Sequence, residues 1–234
     1  MKNEQPFTYA GKELQLFSKA VKWKKYFAEK IIPYISGNVL EAGAGTGDTR
    51  KYLMNNKVIR WTSIEPDKML YKKLEASNNE RSVALNTNIF TLPDTQLFDV
   101  IIYIDVLEHI EDDREEIRKA LKHLKKEGRL IILSPAYNSL MNEFDKEIGH
   151  YRRYTKTTLR KAVESDQLKE VKLFHLESAG VSLLILNKYL FKKKYPDKRT
   201  IKIWDTYFIP VSRIIDRLLN YSTGKTIIGI WQKL

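Results

Sequence analysis

Three glycines at alternate positions follow a short apolar segment near residue 40 and could form a ligand-binding turn: Gly43, Gly45 and Gly47. Without Cβ atoms, they let the backbone turn sharply and let a ligand approach it closely. We predict that a helix begins near Thr46 and offers free N–H groups to an anionic group. A second apolar segment ends at Glu65, whose carboxylate could accept hydrogen bonds from both hydroxyls of a ribose. Together these residues predict a site for a nucleoside-containing cofactor.

The glycine spacing separates two classes of such cofactor. Dinucleotide sites carry the pattern G-x-G-x-x-G, whose third glycine lies three places after the second. Here the third glycine lies two places after the second, and Asp48 follows it. Glu41 precedes the loop, where its negative charge favours a cationic ligand over a pyrophosphate. An NAD-dependent oxidoreductase on a Rossmann fold is the alternative that this spacing disfavours.

Four side chains are candidates for accepting a proton from a substrate: Asp105, Glu108, His109 and His150. The spacing of Asp105, Glu108 and His109 could also gather ligands for a divalent ion. We expect instead that Glu108 and His109 satisfy backbone N–H groups at the start of a helix, where such residues are common. We therefore predict no metal site.

His150 stands beside two arginines in the segment that follows the fifth predicted strand. It could be a general base, while Arg152 and Arg153 could bind an anionic substrate group. The alternative is that Thr155 caps the next helix and that the arginines form surface ion pairs. We predict the functional role, because a histidine beside two arginines is uncommon in a loop that only supports the fold.

Short apolar segments alternate with helical patterns and predict the elements that must position these side chains. An amphipathic helix is predicted over residues 11–32, and further helices over residues 46–54, 67–77, 112–125 and 155–165. The predicted strands are Val39–Ala42, Val58–Ile64, Ser82–Leu85, Phe98–Ile104, Arg129–Leu133, Val171–Leu176 and Lys225–Trp231. This alternation is typical of an α/β protein with a doubly wound parallel sheet. Ligands of such sheets bind beyond the carboxyl ends of the strands, where the strand order reverses.

Taken as an ordered set, the motifs resemble those of the class I S-adenosylmethionine-dependent methyltransferases. The segments that carry the resemblance are VLEAGAGTG at 39–47, Glu65, LNTNI at 85–89, FDVIIYIDVLEH at 98–109 and GRLIILSP at 128–135. The resemblance covers roughly residues 37–176 and the last strand. It implies a seven-stranded, mostly parallel, Rossmann-like sheet in which the last strand lies antiparallel between the fifth and sixth.

The resemblance also implies S-adenosylmethionine as the cofactor and assigns the residues that bind it: Glu41, Gly43, Gly45, Thr46, Glu65, Asn88, Ile89 and Asp105. Asn88 stands where the family usually has an acidic residue, and Asp105 is expected to face the methionine portion. Residues 145–155 resemble a branch associated with glycan, lipid or small-molecule modification. The implied activity is methyl transfer to an oxygen or nitrogen of such an acceptor, with His150, His109 and Asp105 as catalytic candidates.

Basic residues are concentrated near the end of the chain. The sequence of 234 residues has 41 Lys and Arg against 29 Asp and Glu, a net charge of +12. Residues 180–234 hold 11 basic and three acidic side chains, which favours an anionic partner or a solubilising surface. A nucleic-acid-binding methyltransferase-like domain is a further alternative. It is not favoured, because no Asn-Pro-Pro-Tyr-like sequence follows the fourth strand.

We divide the chain into an N-terminal helical region (1–36), a cofactor-binding domain (37–179 and 223–234) and a helical insertion (180–222). The insertion is expected to cover the substrate, form an interface or contact an anionic membrane, and Pro210 to break or bend its second helix. The sequence has no Cys, no signal-peptide pattern and no apolar stretch of ~20 residues. We expect a soluble, cytoplasmic protein, or one in peripheral contact with the inner surface of the membrane.

Overall fold

Seven strands form one sheet in the computed structural model, which describes residues 9, 14–186 and 196–234. The strands are β1 (Gly37–Ala42), β2 (Val58–Ile64), β3 (Ser82–Leu85), β4 (Phe98–Ile104), β5 (Leu124–Pro135), β6 (Leu168–Leu176) and β7 (Thr226–Lys233). Their order is β3-β2-β1-β4-β5-β7-β6. Strands β1 to β5 pair in parallel, and β7 runs antiparallel between β5 and β6. The predicted fold class is therefore confirmed.

The order of the strands reverses between β1 and β4, and this places the candidate site. From β1 the chain builds outward through β2 to β3, and it then crosses back to β4 on the other side of β1. The loops that leave β1 and β4 consequently diverge at the carboxyl ends of the strands and open a crevice there. Apolar side chains bury both faces of these central strands, since Leu40 and Val39 of β1 belong to cores on opposite sides of the sheet.

Ten α-helices surround the sheet in the described part of the chain. They are α1 (Leu14–Phe17), α2 (Val21–Ile31), α3 (Arg50–Leu53), α4 (Lys68–Glu75), α5 (Asp113–Lys122), α6 (Glu143–Glu147), α7 (Lys156–Ala162), α8 (Ser178–Leu186), α9 (Lys198–Ile203) and α10 (Ile209–Leu218). Side-chain caps fix several starts: Asp67 accepts from Met69 N and Leu70 N, and the predicted cap Thr155 accepts from Thr158 N. The predicted bounds of β2, β3 and β4 are the observed ones.

The helix predicted near Thr46 begins later than expected, at Arg50. Gly45 and Gly47 have φ angles of 56° and 77°, which belong to the left-handed region and cannot continue into a right-handed helix. The backbone N–H groups that follow β1 are therefore those of a glycine loop and not those of a helix start.

The N-terminal helix is also divided in two, with α1 and α2 separated by residues 18–20. The start of α2 is set by Asp205, which accepts hydrogen bonds from Trp23 N at 2.8 Å and Lys22 N at 3.1 Å. Asp205 is 182 residues away in the sequence, so no local pattern could show this cap.

Helices α8, α9 and α10 lie between β6 and β7, where the insertion is predicted. A π-helical turn, Trp204–Phe208, joins α9 to α10. Pro210 lies in the first turn of α10, directly after this π-helical turn, so the regular α-helical pattern changes just before the proline, where a break or bend is predicted. The basic run Lys192–Lys194 lies outside the described residues. None of the described helices is long and apolar enough to cross a membrane.

Asp216 of α10 holds the insertion against the rest of the fold. This fully buried carboxylate accepts hydrogen bonds from Tyr26 Oη of α2 at 2.8 Å and from Glu177 N at 2.7 Å. A further hydrogen bond comes from Ser178 N at 2.9 Å. One side chain thereby joins α10, α2 and the turn from β6 to α8.

Candidate functional site

The glycine loop after β1 has a backbone that requires glycine. Gly43 has a φ of 63°, and a Cβ there would lie 2.8 Å from both methyl carbons of Val106. Gly45 has open space around its Cα, with the Leu14 side chain 3.5 Å from the position of a Cβ. The loop therefore presents bare backbone at the carboxyl edge of the sheet, beneath the N-terminal segment.

Glu65 connects this loop to the end of β2. Its buried carboxylate accepts one hydrogen bond from Gly45 N at 2.8 Å and another from Asp67 N at 2.9 Å. Burial raises the pKa of Glu65, while these two backbone N–H groups oppose the rise. The acidic group predicted for a ribose thus lies beside the glycine loop.

Glu41 lies on β1 directly before the loop and is buried. Its Oε2 atom accepts hydrogen bonds from Trp61 Nε1 at 2.9 Å and Ser63 Oγ at 3.0 Å. Burial raises the pKa of Glu41 to about 7, although both hydrogen bonds and the charge of Arg50 act in the opposite direction. A cation close to this carboxyl group would favour its ionised form.

The other predicted cofactor residues follow the same edge of the sheet. Thr46 lies in the glycine loop, and its hydroxyl is 3.3 Å from Asp48 Oδ2. Asn88 follows β3, where its Oδ1 accepts from Phe90 N at 2.9 Å, and the neighbouring Ile89 is buried. Asp105 follows β4 with a φ of 53°, in the left-handed region. The sheet therefore gathers at one edge all the residues predicted from four different strand ends.

A second group of polar side chains contains Glu108, His109 and His150. One potential ligand atom of each lies within 4.8 Å of the others. The two imidazole rings meet edge to face, with centroids 4.5 Å apart. Glu108 and His109 belong to a 3-10 turn after β4, Leu107–His109, and His150 comes from the loop that follows α6. The predicted proton acceptors His109 and His150 are thus in contact.

The expectation that Glu108 and His109 satisfy a helix start is wrong. The next α-helix, α5, begins at Asp113, and Asp112 caps it by accepting a hydrogen bond from Glu115 N at 2.9 Å. Glu108 is fully buried instead, and its Oε2 accepts from Ser134 Oγ of β5 at 2.9 Å.

Burial also shifts the acidities of the pair that follows β4. The pKa of Glu108 lies well above its ordinary value because of burial first and the charge of Asp105 second. The pKa of His109 falls to about 3, chiefly through burial and then through its neighbour His150. His109 is consequently neutral at physiological pH.

Asp145 of α6 fixes His150 and was not among the predicted site residues. Its fully buried carboxylate lies 2.8 Å from His150 Nδ1 and accepts two hydrogen bonds from Arg153, each of 2.9 Å. Burial alone would raise the pKa of Asp145, but the bond with His150 and the charge of Arg153 lower it. In the sequence, the spacing D-x-x-x-x-H-x-x-R of Asp145, His150 and Arg153 could have indicated this group of side chains.

The two arginines make contacts other than those predicted. Arg153 is buried and gives its bidentate donor face to Asp145, so it positions a side chain of this cluster. Arg152 pairs with Asp113 at 2.8 Å and donates to the Glu111 carbonyl. Their role as ligands of an acceptor anion stays a prediction, and the contacts of Arg153 leave little of it free for that task.

Comparison with known proteins agrees with this geometry. A family model described as "Methyltransferase domain" matches residues 12–173, more than half of the chain. The chain belongs to this methyltransferase family. The match decides between the two cofactor classes, and the alternative of an NAD-dependent oxidoreductase is set aside. No curated protein sequence matches the chain at a significant level.

Solved structures show the same fold at low sequence identity. An S-adenosylmethionine-dependent methyltransferase from Clostridium acetobutylicum superposes with a TM-score of 0.58 at 14% identity, covering 92% of both chains. Coclaurine N-methyltransferase, bound to N-methylheliamine and S-adenosylhomocysteine, gives 0.60 at 14%, covering 92% of this chain and 72% of that one. The plantazolicin methyltransferase BpumL, in complex with S-adenosylhomocysteine, gives 0.55 at 13%, covering 94% and 84%.

The cofactor of this methyltransferase is S-adenosylmethionine, and the pocket suits it. Bare backbone at Gly45 would allow a ligand to approach closely, and the carboxyl groups of Glu65 and Glu41 would be the groups to meet its diol and its positive charge. When bound, the cofactor supplies a methyl group on a positively charged sulfur.

Lys24 of α2 also lies at the glycine loop and was not among the predicted site residues. Its side chain is buried, and Nζ lies 3.9 Å from Asp48 Oδ2 beside the glycine loop. Burial lowers the pKa of Lys24, while Asp48 and then Asp105 oppose this. The sequence could have indicated the burial of Lys24, because Lys24 lies four residues from both Ala20 and Ala28, which are buried on the same face of the helix.

The methyltransferase should bind S-adenosylhomocysteine more tightly as the pH rises from about 6 to about 8. The ligand's ammonium group favours the ionised form of Glu41, whose pKa without ligand is about 7, so binding releases a proton. Between these two pH values the ionised fraction of Glu41 rises about tenfold, so the gain in affinity can reach about tenfold. Calorimetric titration at three pH values measures it. Glu41→Gln is the matched control and should show a flatter profile, whereas equal slopes for both chains would contradict this role of Glu41.

Proposed function

We propose that this enzyme methylates an oxygen or nitrogen of a small-molecule, glycan or lipid-linked acceptor that binds beside His109 and His150. The observation that carries the proposal is the hydrogen bond between His150 Nδ1 and Asp145, at the same edge of the sheet as the glycine loop. It directs the other ring nitrogen, Nε2, toward Glu108 and His109.

Methyl transfer from a sulfonium is an in-line displacement, so most of the catalysis comes from holding the reacting atoms close and aligned. An acceptor hydroxyl or ammonium group must also lose a proton. In the neutral tautomer whose Nδ1–H donates to Asp145, the lone pair lies on Nε2, which suits that nitrogen to accept the proton. His109, neutral because of its burial, lies against the same ring.

Two aromatic residues near the start of the chain, Tyr9 and Phe17, lie against the site, which favours a small acceptor or the small end group of a larger one. Tyr9 donates from its backbone N–H to Asp67 at 2.8 Å, and its ring meets that of His109 edge to face at 5.4 Å. Phe17 of α1 lies between Phe144 of α6 and Trp204 of the insertion, with ring centroids 6.4 and 5.9 Å away. Tyr9 therefore contacts both the cofactor side, at Asp67, and the histidine side, at His109.

Replacing His150 should slow methyl transfer without weakening cofactor binding. We expect His150→Gln to lower kcat by about 100-fold or more, the usual contribution of a positioned proton acceptor. Acceptors are found by incubating the enzyme with hydroxyl and amine compounds, including sugar and lipid-linked ones, and following S-adenosylhomocysteine release. His175→Phe is the control, because it keeps an aromatic ring stacked on Tyr137 elsewhere in the fold. A His150→Gln chain with an undiminished rate would contradict the proposal.

We also propose that α10 brings the enzyme to anionic membrane surfaces. Exposed apolar side chains recur at helical spacing along one side of the π-helical turn and α10: Tyr207, Val211, Ile214 and Leu218. Exposed basic residues occur in the same helical region, namely Arg217 of α10 and Arg199 and Lys202 of α9. An apolar stripe flanked by cations is the pattern that binds at the interface of an acidic bilayer.

Vesicles that contain acidic lipid should therefore retain the enzyme at low salt and release it as salt screens the attraction. Ile214→Glu, at a residue 65% exposed on this stripe, should reduce the sedimented fraction several-fold. Ile59→Glu tests charge alone, because Ile59 is 70% exposed on β2, away from the stripe. Absence of retention at low salt, or equal losses in the two variants, would overturn the membrane proposal.

A further inference from the structure

We propose that Glu108, His109 and His150 form a binding site for a divalent transition-metal ion of the zinc type, next to the cofactor pocket. The site is distinct from the residues that hold the cofactor. Neighbouring residues of one turn supply two ligands, and the loop after α6 supplies the third.

The distances are close to those of a coordinated ion. One ligand atom from each residue lies within 4.8 Å of the others, and His150 Nε2 lies 3.9 Å from Glu108 Oε1. Bonds of about 2.1 Å to a tetrahedral ion place neighbouring ligand atoms about 3.4 Å apart. Small side-chain rotations would close this difference.

An unpartnered oxygen gives independent evidence for a cation. Glu108 is fully buried, and its Oε1 atom has no hydrogen-bond partner, whereas Oε2 is held by Ser134. A buried carboxylate oxygen without a partner is rare because nothing replaces the water it has lost. A cation between Oε1 and His150 Nε2 would be that missing partner.

Asp145 and Arg153 hold the proposed ligand His150 in place, as outer-shell residues do in metal sites. Asp145 fixes His150 through Nδ1, which leaves the lone pair of Nε2 for an ion, and Arg153 holds Asp145 in turn. A carboxylate behind a ligating histidine is the usual support of metal sites. This arrangement also accounts for the burial of Arg153 beside Asp145.

The ligand chemistry selects the class of ion. Two imidazole nitrogens and one carboxylate suit Zn²⁺, Co²⁺ or Fe²⁺, whereas Mg²⁺ and Ca²⁺ prefer oxygen ligands throughout. Three protein ligands leave a further position for water or for an acceptor atom. An acceptor hydroxyl at that position would lose its proton to solvent water more readily, and His150 would act there as a ligand and not as the proton acceptor. This last step rests on the proposed function.

Cobalt tests the site because Co²⁺ absorbs visible light when ligands of this kind surround it. The whole chain, freed of metal by a chelator, is titrated with Co²⁺ and then with Zn²⁺. We expect one Co²⁺ per chain, a visible absorption band, and its loss when Zn²⁺ displaces the cobalt. Glu108→Gln and His150→Gln should each weaken Co²⁺ binding by more than about tenfold. Loss of an outer-shell partner alone weakens metal binding by about tenfold or more, and loss of a direct ligand should weaken it further. His175→Phe should leave it unchanged.

Thermal unfolding and S-adenosylhomocysteine binding are measured on each chain as checks of folding and of the cofactor pocket. Glu108→Gln keeps the shape of the side chain, so it tests the site even if a histidine variant fails to fold. A chain that binds S-adenosylhomocysteine but not Co²⁺ overturns the metal site and leaves the proposed function standing. Cobalt binding that survives both Glu108→Gln and His150→Gln overturns it as well.

Discussion

The hydrogen bond from Gly45 N to the Glu65 carboxylate is the contact on which the site depends. It joins the loop after β1 to the end of β2, and it exists because parallel neighbouring strands bring their carboxyl ends to one edge. The left-handed backbone at Gly43, Gly45 and Gly47 turns the loop tightly enough to make this contact.

Buried carboxylates organise the rest of the molecule in a similar way. Asp205 sets the start of α2, Asp216 ties α10 to α2, and Asp145 holds His150 and Arg153 together. Each accepts hydrogen bonds from groups that would otherwise be costly to bury. By setting the start of α2, the insertion also determines where Lys24 meets the glycine loop.

The two groups of polar side chains at the carboxyl edge differ in how many of their carboxylate oxygens have hydrogen-bond partners within the fold. Around Glu41 and Glu65, hydrogen bonds already engage the carboxylates, so the pocket is largely formed before any ligand binds. Around Glu108, one oxygen is satisfied by Ser134 and the other is not. The first arrangement describes a preformed cofactor site, and the second is the basis for inferring an ion.

Sequence reasoning succeeded where the physical cause is local. Apolar segments bounded by turns gave β2, β3 and β4 with their observed ends, and the strand-end positions of Glu41, Glu65 and Asp105 followed from the fold class. It failed where the cause is distant. The division of the first helix depends on Asp205, which is 182 residues away from Trp23. The contact of His109 with His150 joins two loops that no periodicity could bring together.

The central claim is that the glycine-lined edge of the sheet binds S-adenosylmethionine, and titration calorimetry with S-adenosylhomocysteine and with NAD tests it most directly. The account predicts saturable binding of the first, none of the second, and loss of the signal in a folded Gly45→Val chain. A folded chain that takes up NAD but not S-adenosylhomocysteine, or one in which Gly45→Val binds unchanged, would contradict it.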